Sequence, residues 1–273
     1  MIKKIGLMQG RLSKMKNKRI QEFPINSWKD EFKKMYKLNI NKIEWLIDEN
    51  FDKNPIFIKE NLDQIQYYKK KYKINITSVC CDNFMFTSFF EDSTSFDKLK
   101  KIVESSNKLN IKKIDIPLIG KNSIKKSRLK FFFINKMNKM SEFFKKKKVV
   151  VTFETDLGPS ASFNFFKKLK NKSIFGITYD MGNSTFWGFD YRKEISLLGK
   201  YIKHVHVKDC TKKNYSVPLG LGDTNIQEVL KLLKRKKYKG DFILQTARKS
   251  KNHTNEIKKY TSFFENKLRT HFA

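Results

Sequence analysis

The sequence predicts an α/β fold, a single domain over residues 1–273 that is built as a (β/α)8 barrel. Short β-branched runs alternate with longer polar segments of helical pattern, and this alternation calls for a parallel sheet. Eight such units in 273 residues average about 34 residues each, a length that suits a closed TIM barrel better than an open sheet. No linker or change of composition divides the chain.

Each predicted strand is a short, largely apolar run between polar segments. The strands are expected at Ile5–Met8, Ile43–Leu46, Ile76–Cys80, Ile114–Pro117, Val149–Glu154, Ile174–Asp180, Lys203–Val207 and Phe242–Thr246. The predicted helices include Ser27–Leu38, Leu62–Tyr72, Phe96–Leu109, Leu129–Lys145, Asn225–Lys236 and Glu256–Lys267. The phrase Lys-Leu-Asn-Ile occurs at 37–40 and again at 108–111, in both cases before a strand. Both copies are predicted to end a helix and to lead through a short turn into the next strand.

An open, Rossmann-like sheet is the alternative fold. Such a sheet carries a Gly-x-Gly-x-x-Gly turn after its first strand, where the turn binds a dinucleotide. In this chain the nearest glycine-rich stretch is Leu219–Asp223, which follows the seventh strand. The closed barrel is therefore the preferred prediction.

The charge of the chain is strongly unbalanced, with a formal net charge of +32 from 59 Lys and Arg against 27 Asp and Glu. Such a balance raises the question of a nucleic-acid partner. Only 7 of the basic residues are arginine, although a phosphate-binding surface is expected to favour the forked guanidinium. Lysines spread along the whole chain are more typical of solvated helix faces, so we do not expect nucleic acid as the partner. The same potential would attract small anionic substrates such as sugar phosphates.

The cellular compartment is predicted from the start of the chain and from its cysteines. The apolar stretch Ile5–Met8 is too short for a secretory signal. No run approaches the ~18 apolar residues that a membrane span needs. Cys80, Cys81 and Cys210 are an odd number with an adjacent pair, which does not suit a disulfide framework. We expect a cytoplasmic protein without a membrane partner, in which the cysteines are structural.

Functional groups of a parallel barrel lie where its strands end, at the C-terminal face. The last four predicted strands end at or near Glu154, Asp180, His206 and Gln245. The first two spacings are 26 residues each, and the third is 39 residues. Because 26 residues is about one βα unit, these side chains are expected on adjacent strands at matching depth. The longer third gap leaves room for a loop that contains the glycine-rich stretch.

The four side chains have the chemistry of a metal site. Two carboxylates, one imidazole and one amide oxygen suit a single divalent ion such as Mn²⁺, Mg²⁺, Co²⁺ or Zn²⁺. His204 and His206 share one face of their strand, because side chains two residues apart point the same way. His206 is level with the other strand ends, whereas His204 is expected deeper in the barrel, as a hydrogen-bonded core histidine that supports a ligand.

Five motifs carry a resemblance to a known family: Gly6–Ser13, Glu154–Asp156, Tyr179–Asn183, His204–Asp209 and Leu244–Arg248. Together they resemble the sugar phosphate isomerase/epimerase family, whose xylose isomerase-like TIM barrel is shared with ketose 3-epimerases and endonuclease IV. In the ketose epimerases a Glu, an Asp, a His and a second Glu bind the metal, and the two Glu residues shuttle protons. The resemblance places the first three ligands at Glu154, Asp180 and His206 and the second Glu at Gln245.

Gln245 is a departure from that pattern. A glutamine can keep the metal contact through its carbonyl oxygen, but it cannot act as a general base. Glu154 is still expected to take a proton from carbon, while the second proton carrier is open among Lys208, Asp209 and Asp82. The alternative roles are an ion pair between Lys208 and Asp209 at the rim, and a turn cap formed by Asp82.

Four further residues are candidates for substrate binding. Glu44, at the end of strand two, is expected to orient substrate hydroxyls. Arg11 and Arg248 follow strand ends and are expected to hold a phosphate or carboxylate, with a surface ion pair as the alternative. Asn183 is expected to hydrogen-bond the substrate, or else to belong to a Gly-Asn turn.

The resemblance and the strand ends together predict a divalent-metal-dependent isomerase or epimerase. Its expected substrate is a small sugar, phosphorylated or otherwise anionic, that reacts through an enediolate. A dehydratase or lyase on the same scaffold is the alternative within the enzyme class. From other classes come an endonuclease IV-like nucleic-acid enzyme and a sugar-binding barrel that has lost catalysis. The chain is also compatible with a homo-oligomer.

Overall fold

Eight parallel strands close into a barrel in the computed structural model, which describes residues 4–15, 19–248 and 253–272. The strands are β1 (Ile5–Met8), β2 (Lys42–Leu46), β3 (Asn75–Cys80), β4 (Lys113–Leu118), β5 (Val150–Thr155), β6 (Phe175–Asp180), β7 (Ile202–Val207) and β8 (Phe242–Leu244). Each strand pairs with its neighbours in chain order, and β1 pairs with β8, with Ile5 opposite Phe242. The predicted α/β class and closed (β/α)8 barrel are confirmed.

Helices follow every strand of the barrel. They are α1 (Trp28–Lys37), α2 (Lys59–Tyr72), α3 (Ser95–Lys108), α4 (Ser127–Lys146), α5 (Pro159–Lys167), α6 (Met181–Phe186), α7 (Tyr191–Leu198), α8 (Ile226–Arg235) and α9 (His253–Phe272). All six predicted helices are present with small shifts at their ends, and α5, α6 and α7 were not predicted. Helices α6 and α7 have only 6 and 8 residues, which is too few for a helical pattern of apolar residues to be recognised in the sequence. Within the described residues no helix combines the length and the apolar character that crossing a membrane would require.

The two Lys-Leu-Asn-Ile phrases form the same helix end. Asn39 and Asn110 both have a positive φ, of 55° and 60°, which asparagine tolerates better than most residues. The amide of Ile40 donates to the carbonyl of Met35, and the amide of Ile111 donates to that of Ser106, in the same relation. The predicted αβ turns are therefore present at both positions.

The inside of the barrel carries a polar layer where such barrels are mostly filled with branched apolar side chains. Glu44, Asp115, His204 and His206 all have 0% exposure. Both histidines point inward with ring centroids 4.9 Å apart, as the strand parity predicts. Buried polar groups are costly unless they are hydrogen-bonded, so this layer must be internally paired. Its partners determine the geometry of the site above it.

Candidate metal centre and cavity

A cavity of about 460 Å³ opens at the C-terminal end of the barrel. Six of the residues singled out in the sequence line it: Arg11, Asp82, Glu154, Asn183, Lys208 and Gln245. Asp180 and His206 are buried at the same strand ends without belonging to the lining. The lining also leaves out Glu44, Asp209 and Arg248. The predicted residues thus separate into a cavity wall and a buried support.

The donor atoms of the predicted metal site include three buried atoms that have no hydrogen-bond partner among the described residues. These are Oδ2 of Asp180, Nδ1 of His206 and Oε1 of Gln245. Oε2 of Glu154 lies 3.4 Å from Nδ1 of His206. Leaving a buried polar atom unpaired is unfavourable, and each of these atoms is of a type that binds divalent metal ions. By the chemistry of their donor atoms, the four residues therefore fit a divalent ion.

Asp115 is a further acidic neighbour that the sequence analysis missed. Ligand atoms of Asp115, Glu154 and His206 lie within 4.8 Å of one another, whereas Asp180 does not belong to this compact group. The Oδ1 atom of Asp115 accepts hydrogen bonds from the hydroxyls of Thr152 and Thr178, and its Oδ2 is unpaired in the described structure. The signal for Asp115 was present in strand parity, since it stands alone between two isoleucines of β4.

Glu44 supports the histidines from below and does not face substrate. Its two carboxylate oxygens lie 2.8 Å from Nε2 of His204 and 2.9 Å from Nε2 of His206. A carboxylate can only accept in these contacts, so each imidazole carries its hydrogen on Nε2. Nδ1 of His206 is the ring nitrogen that faces Glu154, and burial lowers the pKa of this imidazole, but Glu44 and Glu154 outweigh burial and hold that pKa well above its usual range. The expectation that Glu44 orients substrate hydroxyls is wrong in this geometry, because its side chain is fully buried between two rings.

The protonation states follow from the same contacts. Burial raises the pKa of Glu44, but the two imidazoles outweigh burial and hold that pKa below its usual range, so the carboxyl is ionised. Burial lowers the pKa of His204 to about 4, so this imidazole is neutral. The ammonium of Lys113 lies 3.3 Å from Nδ1 of His204, which is free to accept from it. The prediction that His204 is a hydrogen-bonded core residue agrees with these contacts, and its support of a metal ligand stays a prediction.

Lys208 contacts acidic and amide side chains at the cavity. Its ammonium lies 3.5 Å from Oδ2 of Asp180 and donates to Oδ1 of Asn183, whose amide nitrogen donates to Glu154. Burial lowers the pKa of Lys208, but Asp180 outweighs burial and holds that pKa above its usual range. Lys208 is thus a permanent cation in this arrangement. The alternative ion pair between Lys208 and Asp209 is not formed.

Asp209 organises a loop instead of lining the cavity. Its two carboxylate oxygens accept hydrogen bonds from the backbone amides of Cys210, Gly220, Gly222 and Thr224. A Cβ atom at Gly222 would lie only 2.1 Å from Oδ1 of Asp209, so the carboxylate requires a glycine there. The glycine-rich stretch after β7 is explained by this contact and not by a dinucleotide. A catalytic role for Asp209 is not supported, because its oxygens are occupied.

The two arginines expected to bind an anion also point inward. Arg248 is 4% exposed and donates to the backbone carbonyls of Ser13 and Ile20. Arg11 is 1% exposed and donates to the carbonyl of Ile20 and to the side chain of Gln21. Burial lowers the pKa of Arg11 to about 9, with a contribution from Arg248. Both guanidinium groups therefore hold the loop after β1 in place.

Gln21 in this loop connects three predicted residues and was itself missed. Its Oε1 accepts from Arg11 and from Nε2 of Gln245, at 3.2 and 3.0 Å. Its Nε2 donates to Oδ1 of Asp82 at 3.2 Å. A guanidinium can only donate hydrogen bonds, so the Gln21 amide must turn its oxygen, and not its nitrogen, toward Arg11. No sequence signal marks Gln21, which lies outside the strands and helices.

The sequence and the fold were compared with known proteins. The family model described as xylose isomerase-like TIM barrel matches residues 32–266. No curated protein matches the sequence significantly.

Solved structures match over nearly the whole chain at low identity. The apo 3-keto-D-glucoside 4-epimerase of E. coli shares 12% identity and a TM-score of 0.72, over 96% of this chain and 99% of that one. The IOLI protein with a bound zinc atom shares 15% identity and a TM-score of 0.76, over 99% of both chains. A D-psicose 3-epimerase crystallised in the presence of D-fructose shares 13% identity and a TM-score of 0.74, over 97% and 99%. The family match over most of the chain, together with the closed barrel, shows that this chain belongs to the xylose isomerase-like TIM barrel family.

Proposed function

We propose that this chain is an enzyme, a divalent-metal-dependent isomerase or epimerase of a small sugar. The observation that carries the proposal is the set of buried ligand atoms without a hydrogen bond on Asp180, His206 and Gln245 beside the Glu154 carboxylate. These atoms lie at the strand ends around a cavity of about 460 Å³, which has room for a small sugar. Similarity in fold to the two epimerases and to the zinc-containing IOLI protein supports the same class.

Glu154 is proposed as the group that takes a proton from carbon. It lines the cavity, and His206, Lys208 and Asn183 outweigh the effect of burial and hold its pKa below the usual range, so it is an ionised base. A divalent ion bound by Glu154, Asp180, His206 and Gln245 would supply positive charge for the oxygens of an enediolate. Lys208 adds a fixed positive charge beside the same carboxylates.

The contacts of three arginines indicate whether the substrate is neutral or phosphorylated. Arg11 and Arg248 donate to the loop after β1, and the guanidinium of Arg19 at the cavity pairs with Glu49. These contacts support a neutral sugar as the substrate more than a phosphorylated one. We also propose a reducing, cytoplasmic location, since Cys80, Cys81 and Cys210 are all free and buried.

The test is metal analysis of the purified protein followed by incubation with ketoses, aldoses and their phosphates in D2O. We expect one divalent ion per chain and incorporation of deuterium at a carbon next to the carbonyl. Glu154→Gln should abolish the incorporation, a loss of at least about 100-fold for a missing general base. Asp156→Asn is the matched control, because that carboxylate bonds Ser123 and Lys125 outside the cavity lining. Full activity of metal-free protein would contradict the proposal.

A further inference from the structure

An epimerisation needs two proton carriers at the cavity, and Gln245, an amide, cannot be the second one beside Glu154. Inversion of a carbon centre requires a proton to be removed on one side and another to be delivered from a different side. Glu154 can perform only one of these transfers at a time. A second titratable group must therefore reach the same cavity, and this inference rests on the proposed function.

The titratable side chains around the cavity differ in their fitness for that role. Lys208 is already engaged, since its ammonium lies 3.5 Å from Oδ2 of Asp180 and donates to Oδ1 of Asn183. Burial raises the pKa of the Cys80 thiol well above its usual range, and it also raises the pKa of the Tyr215 hydroxyl. The thiol and the hydroxyl therefore stay protonated at neutral pH. In the described lining, the remaining carboxyl besides Glu154 is that of Asp82.

Asp82 stands directly after β3, two strands away from Glu154 around the barrel. It is the first residue of a short 3₁₀ helix, Asp82–Met85, and its side chain does not cap that helix, so the alternative role as a turn cap is not observed. Its hydrogen bond in the described structure is the one from Nε2 of Gln21 to Oδ1. The carboxyl is thus positioned by an amide while it faces the cavity.

The contact with Gln21 connects Asp82 to Gln245. Nε2 of Gln245 donates a hydrogen bond to Oε1 of Gln21. The amide oxygen of Gln245 then points the other way and has no hydrogen-bond partner in the described structure, so it is available as a metal ligand. The same Gln21 amide donates to Asp82. One glutamine side chain therefore orients the neutral ligand and holds the nearby carboxyl.

The charges around Asp82 suit a group that must both gain and lose a proton. Burial raises the pKa of Asp82 to about 7, the neighbouring carboxylates of Asp48 and Glu154 raise it as well, and Gln21 and Arg11 lower it. A pKa near the working pH is the optimum for general acid–base catalysis, because both protonation states are then populated.

We propose that Asp82 is the second proton carrier and that the reaction is an epimerisation. Glu154 removes a proton from the carbon next to the carbonyl, and the electrons of the broken C–H bond form the C=C bond of the enediolate. The protonated Asp82 carboxyl then gives its proton to that carbon from another side, and the C=C electrons form the new C–H bond. Glu154 afterwards releases its proton to water and Asp82 takes one from water, which restores the starting state.

The experiment separates proton removal from product formation. Wild type, Asp82→Asn, Glu154→Gln and the control Asp156→Asn are incubated as metal-loaded proteins with D-fructose, D-psicose and the other ketohexoses in D2O. With the epimer whose C–H bond faces Glu154, we expect Asp82→Asn to show deuterium in the recovered substrate at near the wild-type rate and at least about 100-fold less epimer. With the other epimer, from which Asp82 removes the proton, Asp82→Asn should lose the exchange as well. Asp82→Glu should regain part of the epimer formation. Glu154→Gln should show the reverse pattern, with no epimer formed and exchange lost for the epimer whose C–H bond faces Glu154.

Two results would overturn the inference while leaving the proposed function intact. One is epimer formation by Asp82→Asn within a few-fold of wild type. The other is equal loss of exchange and epimer formation in Asp82→Asn with both epimers, at unchanged metal content and circular dichroism, which would indicate a structural role. Absence of both signals in wild type would instead refute the proposed function, and this inference with it.

Discussion

Single hydrogen bonds decide which atoms of the proposed metal site are left to face an ion. The carboxylate of Glu44 accepts from Nε2 of both inward-facing histidines, so Nδ1 of His206 is the ring nitrogen that faces Glu154. At the other side of the site, Gln21 occupies the amide nitrogen of Gln245 and leaves the oxygen free. Such contacts behind the ligands determine their orientation and commonly contribute to metal affinity.

A change of Glu44 to Gln tests this arrangement. The amide keeps one oxygen for one imidazole and turns an N–H group toward the other, so the orientation of His206 is no longer specified. We expect the affinity for Mn²⁺ or Zn²⁺ to fall about 10- to 100-fold. Titration calorimetry with the metal alone measures it. Glu194→Gln, a buried carboxylate outside the cavity lining, is the control and should bind like wild type. Unchanged affinity of Glu44→Gln would contradict the role given to Glu44.

Short helices connect the site to the outer layer after β6. Oδ1 of Asp180 accepts from the amide of Asn183 at the start of α6, while its Oδ2 has no hydrogen-bond partner in the described structure. The Asp180 carboxylate thus caps α6 with Oδ1 and keeps Oδ2 for the site. Ser184 of α6 donates to Glu194 of α7, which ties the two helices together. Glu194 is 7% exposed and therefore carries a strong desolvation cost when ionised.

The stability of this helix pair should depend on pH. Burial raises the pKa of Glu194 to about 7, so the folded state holds the proton more tightly than the unfolded chain. The resulting stabilisation is complete below the unfolded pKa and is lost as the pH rises through about 7. Glu194→Gln stays neutral, so its free energy of unfolding should exceed that of wild type at pH 8.5, by up to about 3 kcal/mol.

Urea unfolding at pH 8.5 and at pH 4.5 checks this prediction. At pH 4.5 wild-type Glu194 is protonated in the folded state, and the two proteins should be equally stable. A difference between them that is the same at both pH values would contradict the titration of Glu194.

At the scale of the whole molecule the dominant feature is charge. With 59 basic and 27 acidic side chains, 32 basic groups would remain unpaired even if every acid had its own partner. A large net charge destabilises the compact state by self-repulsion, and salt screens that repulsion. Repulsion among the basic side chains therefore lowers the stability of the folded barrel.

We expect the unfolding temperature to rise as NaCl is increased from low to moderate concentration, by about 2–5 °C. Differential scanning calorimetry or fluorimetry measures the shift. A variant in which the exposed Lys126, Lys234 and Lys239 are changed to Gln should show a smaller rise, because it carries less repulsion to screen. An unfolding temperature that falls with salt would mean that attractive ion pairs outweigh the repulsion.

Much of the fold and part of the site could be predicted from local pattern. Strand–helix alternation and the ~34-residue unit specify the barrel, because each unit repeats the same local geometry. Strand parity and equal spacing placed Glu154, Asp180 and His206 at neighbouring strand ends. What stays a prediction is the use of these residues as ligands and of Glu154 as a base.

Local pattern in the amino-acid sequence was enough to predict the barrel and the approximate ends of its strands, although β8 ends at Leu244 and not at Thr246. The contacts of the residues at those ends depend on the folded barrel: Glu44 faces two histidines, Asp209 holds a loop, and Gln21 joins Gln245 to Asp82. The reason is physical. Backbone pattern is local and repeats along the chain, whereas the partners of a buried polar side chain are brought together from distant segments by packing. Gln21 and Gln245 are 224 residues apart, and no local pattern encodes their contact.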